Sequence, residues 1–131
     1  MPEPGRPARG PLVLVVDDER DHALTVRAIL ARDDLEVSLA ADADEALQLA
    51  RVYDFRLAII DLRLPGRDGL ATMHALWRER PGLRCLILTA YPSPGTLRTA
   101  LSEGASAYLE KPCSPEGLRA IVASLLALDE G

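Results

Sequence analysis

Lysine is almost missing from this sequence: its 15 basic residues are 14 arginines and one lysine, Lys111. Acidic residues outnumber them at 20, for a formal charge of −5. That balance argues against non-specific binding to nucleic acid or to a membrane surface, since both need positive charge. Cysteine is also scarce. Cys85 and Cys113 form no disulfide framework and match no zinc pattern. Reduced thiols in a cytoplasmic protein are the expectation. No apolar run approaches the roughly 20 residues of a membrane helix. The first ten residues carry Pro, Gly and Arg without an apolar core, so they do not read as a secretory signal. We expect a short solvated tail over 1–10 and a single domain over 11–131, a usual domain length.

What is present is an alternation. Short apolar runs occur at Leu12 to Val16, Leu35 to Ala40, Leu57 to Ile60, Leu83 to Leu88 and Ala105 to Leu109. Three are almost continuously apolar, which suits parallel strands covered on both faces. Helical patterns lie between them. Residues 19–32 put Ala23, Val26 and Leu30 on one face. Asp42 and Glu45 stand as in a capping box before a helix at 43–52. Asp68 starts a third helix that Pro81-Gly82 ends, and Pro94 opens a fourth that stops near Gly104. Ser114-Pro115 is a good N-cap and first-turn pair for a last helix carrying Leu118, Ile121, Val122 and Leu125. Five strand–helix repeats predict a three-layer α/β fold around a parallel sheet.

In such folds ligands bind beyond the carboxyl ends of the strands, where strand order reverses. The first run ends in Asp17-Asp18-Glu19, the third in Asp61, the fourth in Thr89 and the fifth in Glu110-Lys111-Pro112. A parallel sheet would gather three carboxylates, a hydroxyl and an ammonium at one edge. Clustered carboxylates repel, and a divalent cation relieves that. Oxygen ligands with waters suit Mg²⁺. Neighbours on a strand face opposite ways, so the chain must turn for both Asp17 and Asp18 to approach the ion. Lys111 and Thr89 supply donors for the oxygens of a phosphoryl group, with Asp61 as nucleophile. In a chain that otherwise uses arginine, the sole lysine points to a need for a compact, flexible point charge. Each residue also has a plainer reading. Asp17-Asp18 can be a turn or helix cap, Asp61 a turn residue before Pro65-Gly66, Thr89 a satisfied strand-end hydroxyl, and Tyr108 part of the core. Their joint placement at successive strand ends favours the chemical reading.

Val15-Val16-Asp17-Asp18-Glu19, the stretch Asp61 to Gly69, Leu88-Thr89-Ala90, and Gly104-Ala105 through Tyr108 to Lys111-Pro112 together resemble the response-regulator receiver domains of two-component signalling. The likeness runs from about Pro11 to Leu128. It implies a flavodoxin-like doubly wound (βα)5 fold with strand order 2-1-3-4-5. It implies that Asp61 is the phosphoacceptor. Asp18, Asp61 and the backbone carbonyl of Arg63 would hold Mg²⁺, with Asp17 acting through metal-bound water. Lys111 and Thr89 would contact the phosphoryl group, Tyr108 would be the switch aromatic, and the Lys111-Pro112 bond would be cis. The donor would be a sensor histidine kinase, a phosphotransfer protein or a small acyl phosphate. The output would be a downstream protein meeting the face of the fourth helix, fifth strand and fifth helix, or a phosphorylation-dependent homodimer. The domain would catalyse its own phosphorylation and dephosphorylation rather than act on external substrates.

Two bulky residues flank this site: Arg63, two after Asp61, and Tyr91, two after Thr89. They either shield an acyl phosphate from water or point to solvent. Pro92 and Pro94 stiffen the loop after Thr89. No output domain follows Gly131 in this sequence. A complete protein would therefore act by partner contact or phosphoryl relay, whereas a receiver excised from a DNA-binding transcriptional regulator or hybrid kinase would serve its parent's output, such as transcription. An aspartyl-phosphate phosphohydrolase would carry a second aspartate where Arg63 stands. A flavin module would need a Ser/Thr/Gly-rich loop in place of Asp17-Asp18-Glu19.

Overall fold

The computed structural model describes residues 12–64 and 67–128. The expected tail at 1–10 and the Pro65-Gly66 turn lie outside them. Strands and helices alternate: β1 (Leu12–Val16), α1 (Arg20–Ala31), β2 (Glu36–Ala40), α2 (Ala43–Val52) and β3 (Leu57–Ile60). A short antiparallel pair, β4 (Arg63–Leu64) and β5 (Arg67–Asp68), comes next. Then follow α3 (Gly69–Glu79), β6 (Arg84–Thr89), α4 (Pro94–Ser102), β7 (Ala107–Glu110) and α5 (Pro115–Ala127). The main sheet is parallel, in the order β2-β1-β3-β6-β7. Setting aside the small β4-β5 pair, this is the expected 2-1-3-4-5 order of a flavodoxin-like fold.

Two hydrophobic clusters explain the three layers. Side chains alternate across a strand. Leu14, Val16, Ala58, Ile60 and Ile87 therefore face one side, against Ala46 and Ala50 of α2, Met73 and Leu76 of α3, and Ala100 of α4. Val13, Val15, Ile59, Leu86 and Leu88 face the other, against Val26 and Leu30 of α1 and Leu118 and Val122 of α5. Every residue of β3 is buried. Because both faces are covered, the strands read as unbroken apolar runs.

Side-chain caps set the starts of α2 to α5, whereas Glu19 at the start of α1 makes no such bond. Asp42 Oδ1 accepts the Glu45 N–H at 2.8 Å, and Asp68 Oδ1 accepts the Ala71 N–H at 2.7 Å. Ser93 caps α4 through the Thr96 N–H at 3.1 Å, and Ser114 caps α5 through Gly117 at 2.9 Å. Both serines precede a proline in the first turn, which lacks the N–H that would otherwise be orphaned. After α4 the chain reverses at Gly104, with φ +116°, a conformation that strains other residues.

Sheet order reverses between β1 and β3. Their carboxyl ends open a crevice at the topological switch point, and the acidic residues follow them directly.

Candidate functional site

Hydrogen bonds that prolong the sheet ladders fix the site residues. Asp17 N donates to Ala40 O at 2.9 Å and Asp61 N to Val16 O at 3.0 Å. Lys111 N donates to Thr89 O at 2.8 Å. Asp17 and Asp61 are thus anchored one step beyond the buried strands β1 and β3, and Lys111 one step beyond the partly buried β7. The Lys111-Pro112 peptide bond is cis, as expected.

The side chains converge. Carboxylate oxygens of Asp17, Asp18 and Asp61 all lie within 4.8 Å of one another. Asp17 is buried and Asp18 exposed, so the two neighbours reach the cluster from different sides. Lys111 Nζ sits between Asp17 Oδ2 at 3.0 Å and Asp61 Oδ2 at 2.9 Å. The lysine and Asp61 side chains are each 11% exposed, enough for a ligand to reach the carboxylate. Asp61 Oδ1 accepts the Arg63 N–H at 3.1 Å, which holds the start of the following loop against the site.

Electrostatics favour the charged lysine. Burial is the largest single influence on Lys111 and pulls its pKa down. The hydrogen bonds and charges of Asp61 and Asp17 outweigh it and hold the pKa above its ordinary 10.5. Three carboxylates against one ammonium still leave two negative charges in the cluster. A divalent cation balances that excess. The donor set is all oxygen, the chemistry of a hard ion. An all-oxygen cluster of this span could hold a metal ion.

The other anticipated residues surround this centre without all joining it. Thr89 is fully buried, and its Oγ1 accepts the Tyr91 N–H at 3.0 Å. Tyr108 is half-buried, and its hydroxyl lies 2.7 Å from Thr96 Oγ1 on α4. Arg63 and Tyr91, the two bulky flanking residues, meet at the edge of the site. The Arg63 guanidinium lies 3.7 Å from the Tyr91 ring centroid, Tyr91 is 56% exposed, and both residues line the cleft that holds Asp61. That cleft has a volume of about 630 Å³ and runs from Asp18 and Lys111 toward Val26, Ile29 and Leu118, between α1 and α5.

Sequence reading missed two residues. His22, in the first turns of α1, places Nδ1 2.6 Å from Asp17 Oδ2. Thr96 ties Tyr108 to the first turn of α4. The available signal for His22 was its position five residues after Asp17, where a helix opening beyond the strand folds back over the strand end.

A cation-ready acidic cluster with a shared lysine, at the switch point of a (βα)5 sheet, defines a phosphoryl-handling signalling domain. Comparison with known proteins agrees. The family described as the response regulator receiver domain matches residues 13–123. The transcriptional regulatory protein ZraR of Escherichia coli K12 is 36% identical over 115 residues, which is 88% of this chain and 26% of that protein. The response regulator receiver protein Anae109_2439 of Anaeromyxobacter sp. Fw109-5 is 38% identical over 99 residues, 76% of this chain and 42% of that one. A CheY-like receiver domain protein from Methanospirillum hungatei JF-1 superposes with a TM-score of 0.86 at 31% identity, covering 92% and 96% of the two chains. A response regulator from Burkholderia pseudomallei, with a phosphorylated aspartic acid, a calcium ion and citrate, gives 0.78 at 32% identity, covering 93% and 76%. The chain belongs to the response regulator receiver family, the phosphoacceptor domains of two-component systems. It spans about a quarter of the length of ZraR and under half of the Anaeromyxobacter protein. Among the described residues no helix is long and apolar enough to cross a membrane.

Proposed function

We propose that Asp61 is the phosphoacceptor and that Mg²⁺ held by Asp18, Asp61 and the Arg63 carbonyl, with Asp17 acting through bound water, supports the transfer. The observation that carries this reading is the placement of Asp61: a carboxylate at the cleft, 2.9 Å from the only lysine, inside a three-carboxylate cluster. The phosphorylated aspartic acid of the Burkholderia pseudomallei relative supports it.

An Asp61 carboxylate oxygen attacks the phosphorus of a phosphohistidine on a sensor kinase or phosphotransfer protein. The new P–O bond forms as the P–N bond breaks, and the departing imidazole takes up a proton. Mg²⁺ supplies charge neutralisation for the phosphoryl oxygens. Lys111 already touches Asp61 and carries its charge without cost at neutral pH, so it is placed to meet another phosphoryl oxygen. Thr89 only accepts in its bond to Tyr91 N–H, which leaves its own hydroxyl proton for a phosphoryl oxygen. Movement of Thr89 is then passed to Tyr108 and, through Thr96, to α4. The output is a change of the α4-β7-α5 face, on which Leu97 and Leu101 are exposed. A partner protein or a second phosphorylated copy would read that face. Cytoplasmic placement follows from a kinase donor of this kind.

A second reading concerns the whole protein rather than the site. Because ZraR is a transcriptional regulator of which this chain spans 26%, we propose as the second reading that this receiver is the input domain of such a regulator. The parent open reading frame separates that reading from a stand-alone receiver.

Incubation with acetyl phosphate and Mg²⁺, followed by intact-mass measurement, tests the proposal. One added phosphoryl group is expected, lost in Asp61→Asn and on chelation of the metal. Undiminished labelling of Asp61→Asn would overturn it.

A further inference from the structure

Asp17 is held by three donors. Its Oδ1 accepts the Glu19 N–H at 2.9 Å, and its Oδ2 meets both Lys111 Nζ at 3.0 Å and His22 Nδ1 at 2.6 Å. The residue is 4% exposed, so its lone pairs must be satisfied almost wholly by protein groups. Lys111 is divided between Asp17 and Asp61.

A phosphoryl group on Asp61 adds negative charge beside Lys111 and draws the ammonium away from Asp17. The departure strips one donor from a buried carboxylate, and a buried ionised oxygen left unpaired is costly. While the Glu19 N–H remains on Oδ1, His22 is the donor that stays on Oδ2. It sits on α1, whose apolar face is packed into the core through Ala23, Val26 and Leu30. Its side chain is only a quarter exposed. Its Nδ1–H donates to a carboxylate in either the neutral or the charged ring, so the contact needs no change of protonation.

We infer that His22 is a positioning residue that keeps Asp17 Oδ2 satisfied while Lys111 turns to the phosphoryl group. It thereby stabilises the phosphorylated state over the resting one. The inference rests on Asp61 being the phosphoacceptor and goes beyond it by assigning a role to a residue outside the carboxylate–lysine–threonine set.

The test uses the full chain, with beryllofluoride as a stable phosphoryl mimic at saturating Mg²⁺, titrated calorimetrically. Mg²⁺ affinity without beryllofluoride is the second readout. His22→Leu keeps the helix and the apolar bulk but has no donor. His22→Asn returns an amide N–H at nearly the reach of Nδ1. Beryllofluoride affinity should fall about tenfold in His22→Leu and stay within about threefold of wild type in His22→Asn. Mg²⁺ affinity should change much less, because Lys111 still serves Asp17 in that state. A merely structural role would lower both readouts together in both variants. Equal beryllofluoride affinity in wild type and His22→Leu, or equal weakening in both variants, overturns the inference and leaves the phosphoacceptor reading intact. Wild type that binds no beryllofluoride removes that reading and this inference with it.

Discussion

The guanidinium of Arg63 lies over the ring of Tyr91, 3.7 Å from its centroid, so β4 and the loop that follows β6 touch beside the cleft that both residues line. We propose that the stacked cation and ring act as a partial roof beside Asp61. Exposed pairs of this kind are worth about 0.5–1 kcal/mol. Arg63→Ala and Tyr91→Ala should each shorten the lifetime of the acyl phosphate by roughly two- to fivefold, on that scale. The double variant should add little beyond either single change, because one contact is lost in each case. Phosphoryl decay after donor removal measures this, and unchanged lifetimes would discard the roof.

Gly69 opens α3 directly behind the site. A Cβ there would stand 2.3 Å from Asp61 O and 2.7 Å from Leu62 Cα, both backbone atoms that cannot swing aside. Gly69→Ala should cost about 2–4 kcal/mol of stability and slow phosphorylation as well. Gly95, in the first turn of α4, has only Ser93 Oγ nearby, at 4.0 Å. Gly95→Ala should gain up to about 1 kcal/mol through helix propensity. Urea unfolding of the two variants compares them. A Gly69→Ala midpoint equal to wild type would show that the α3 start moves freely.

Much of the architecture was legible because burial writes itself into the strands. The runs Leu12 to Val16 and Leu57 to Ile60 coincide with β1 and β3. The edge strand was less distinct: the run at Ala105 to Leu109 became β7 at Ala107–Glu110, where burial is only partial and Glu110 faces solvent. The β4-β5 pair left no trace in the pattern, since two residues per strand are too few for any periodicity. The carboxylates and Lys111 were legible because strand order brings their run ends together. His22 was not. Its role depends on how the first turns of α1 lie over β1, and its spacing of five residues from Asp17 was the one hint of that. Thr96 was hidden for the same reason, since its partner Tyr108 is twelve residues away on another element.

Alkaline stability should respond to a residue far from the chemistry. Burial pushes the Cys85 thiol from its ordinary 9.0 up to about 12. Above about pH 9 the unfolded chain releases a proton that the folded chain keeps, so stability falls as pH rises toward the folded value. Lys111 acts with the same sign at higher pH, because its pKa lies above 10.5. Cys85→Ala should flatten the decline in urea midpoint between about pH 8 and about pH 10. Native wild type should also leave Cys85 unmodified by thiol reagents until it unfolds. Parallel pH profiles, or rapid labelling of the native thiol, would contradict the assignment.

Ser38 carries a hydroxyl inside the sheet, fully buried, whose Oγ has no hydrogen-bond partner among the described residues. An unpaired buried hydroxyl costs free energy. Ser38→Ala should therefore be neutral or stabilising by up to about 1 kcal/mol. A urea midpoint that falls would mean the hydroxyl is satisfied in solution.

The identity of the acceptor is most directly read by chemical trapping. After incubation with acetyl phosphate and Mg²⁺, borohydride reduces an aspartyl phosphate to homoserine, and peptide mass spectrometry locates it. Homoserine is predicted at position 61 alone. Homoserine at 17 or 18, or none in a protein that has taken up phosphate, would contradict the account.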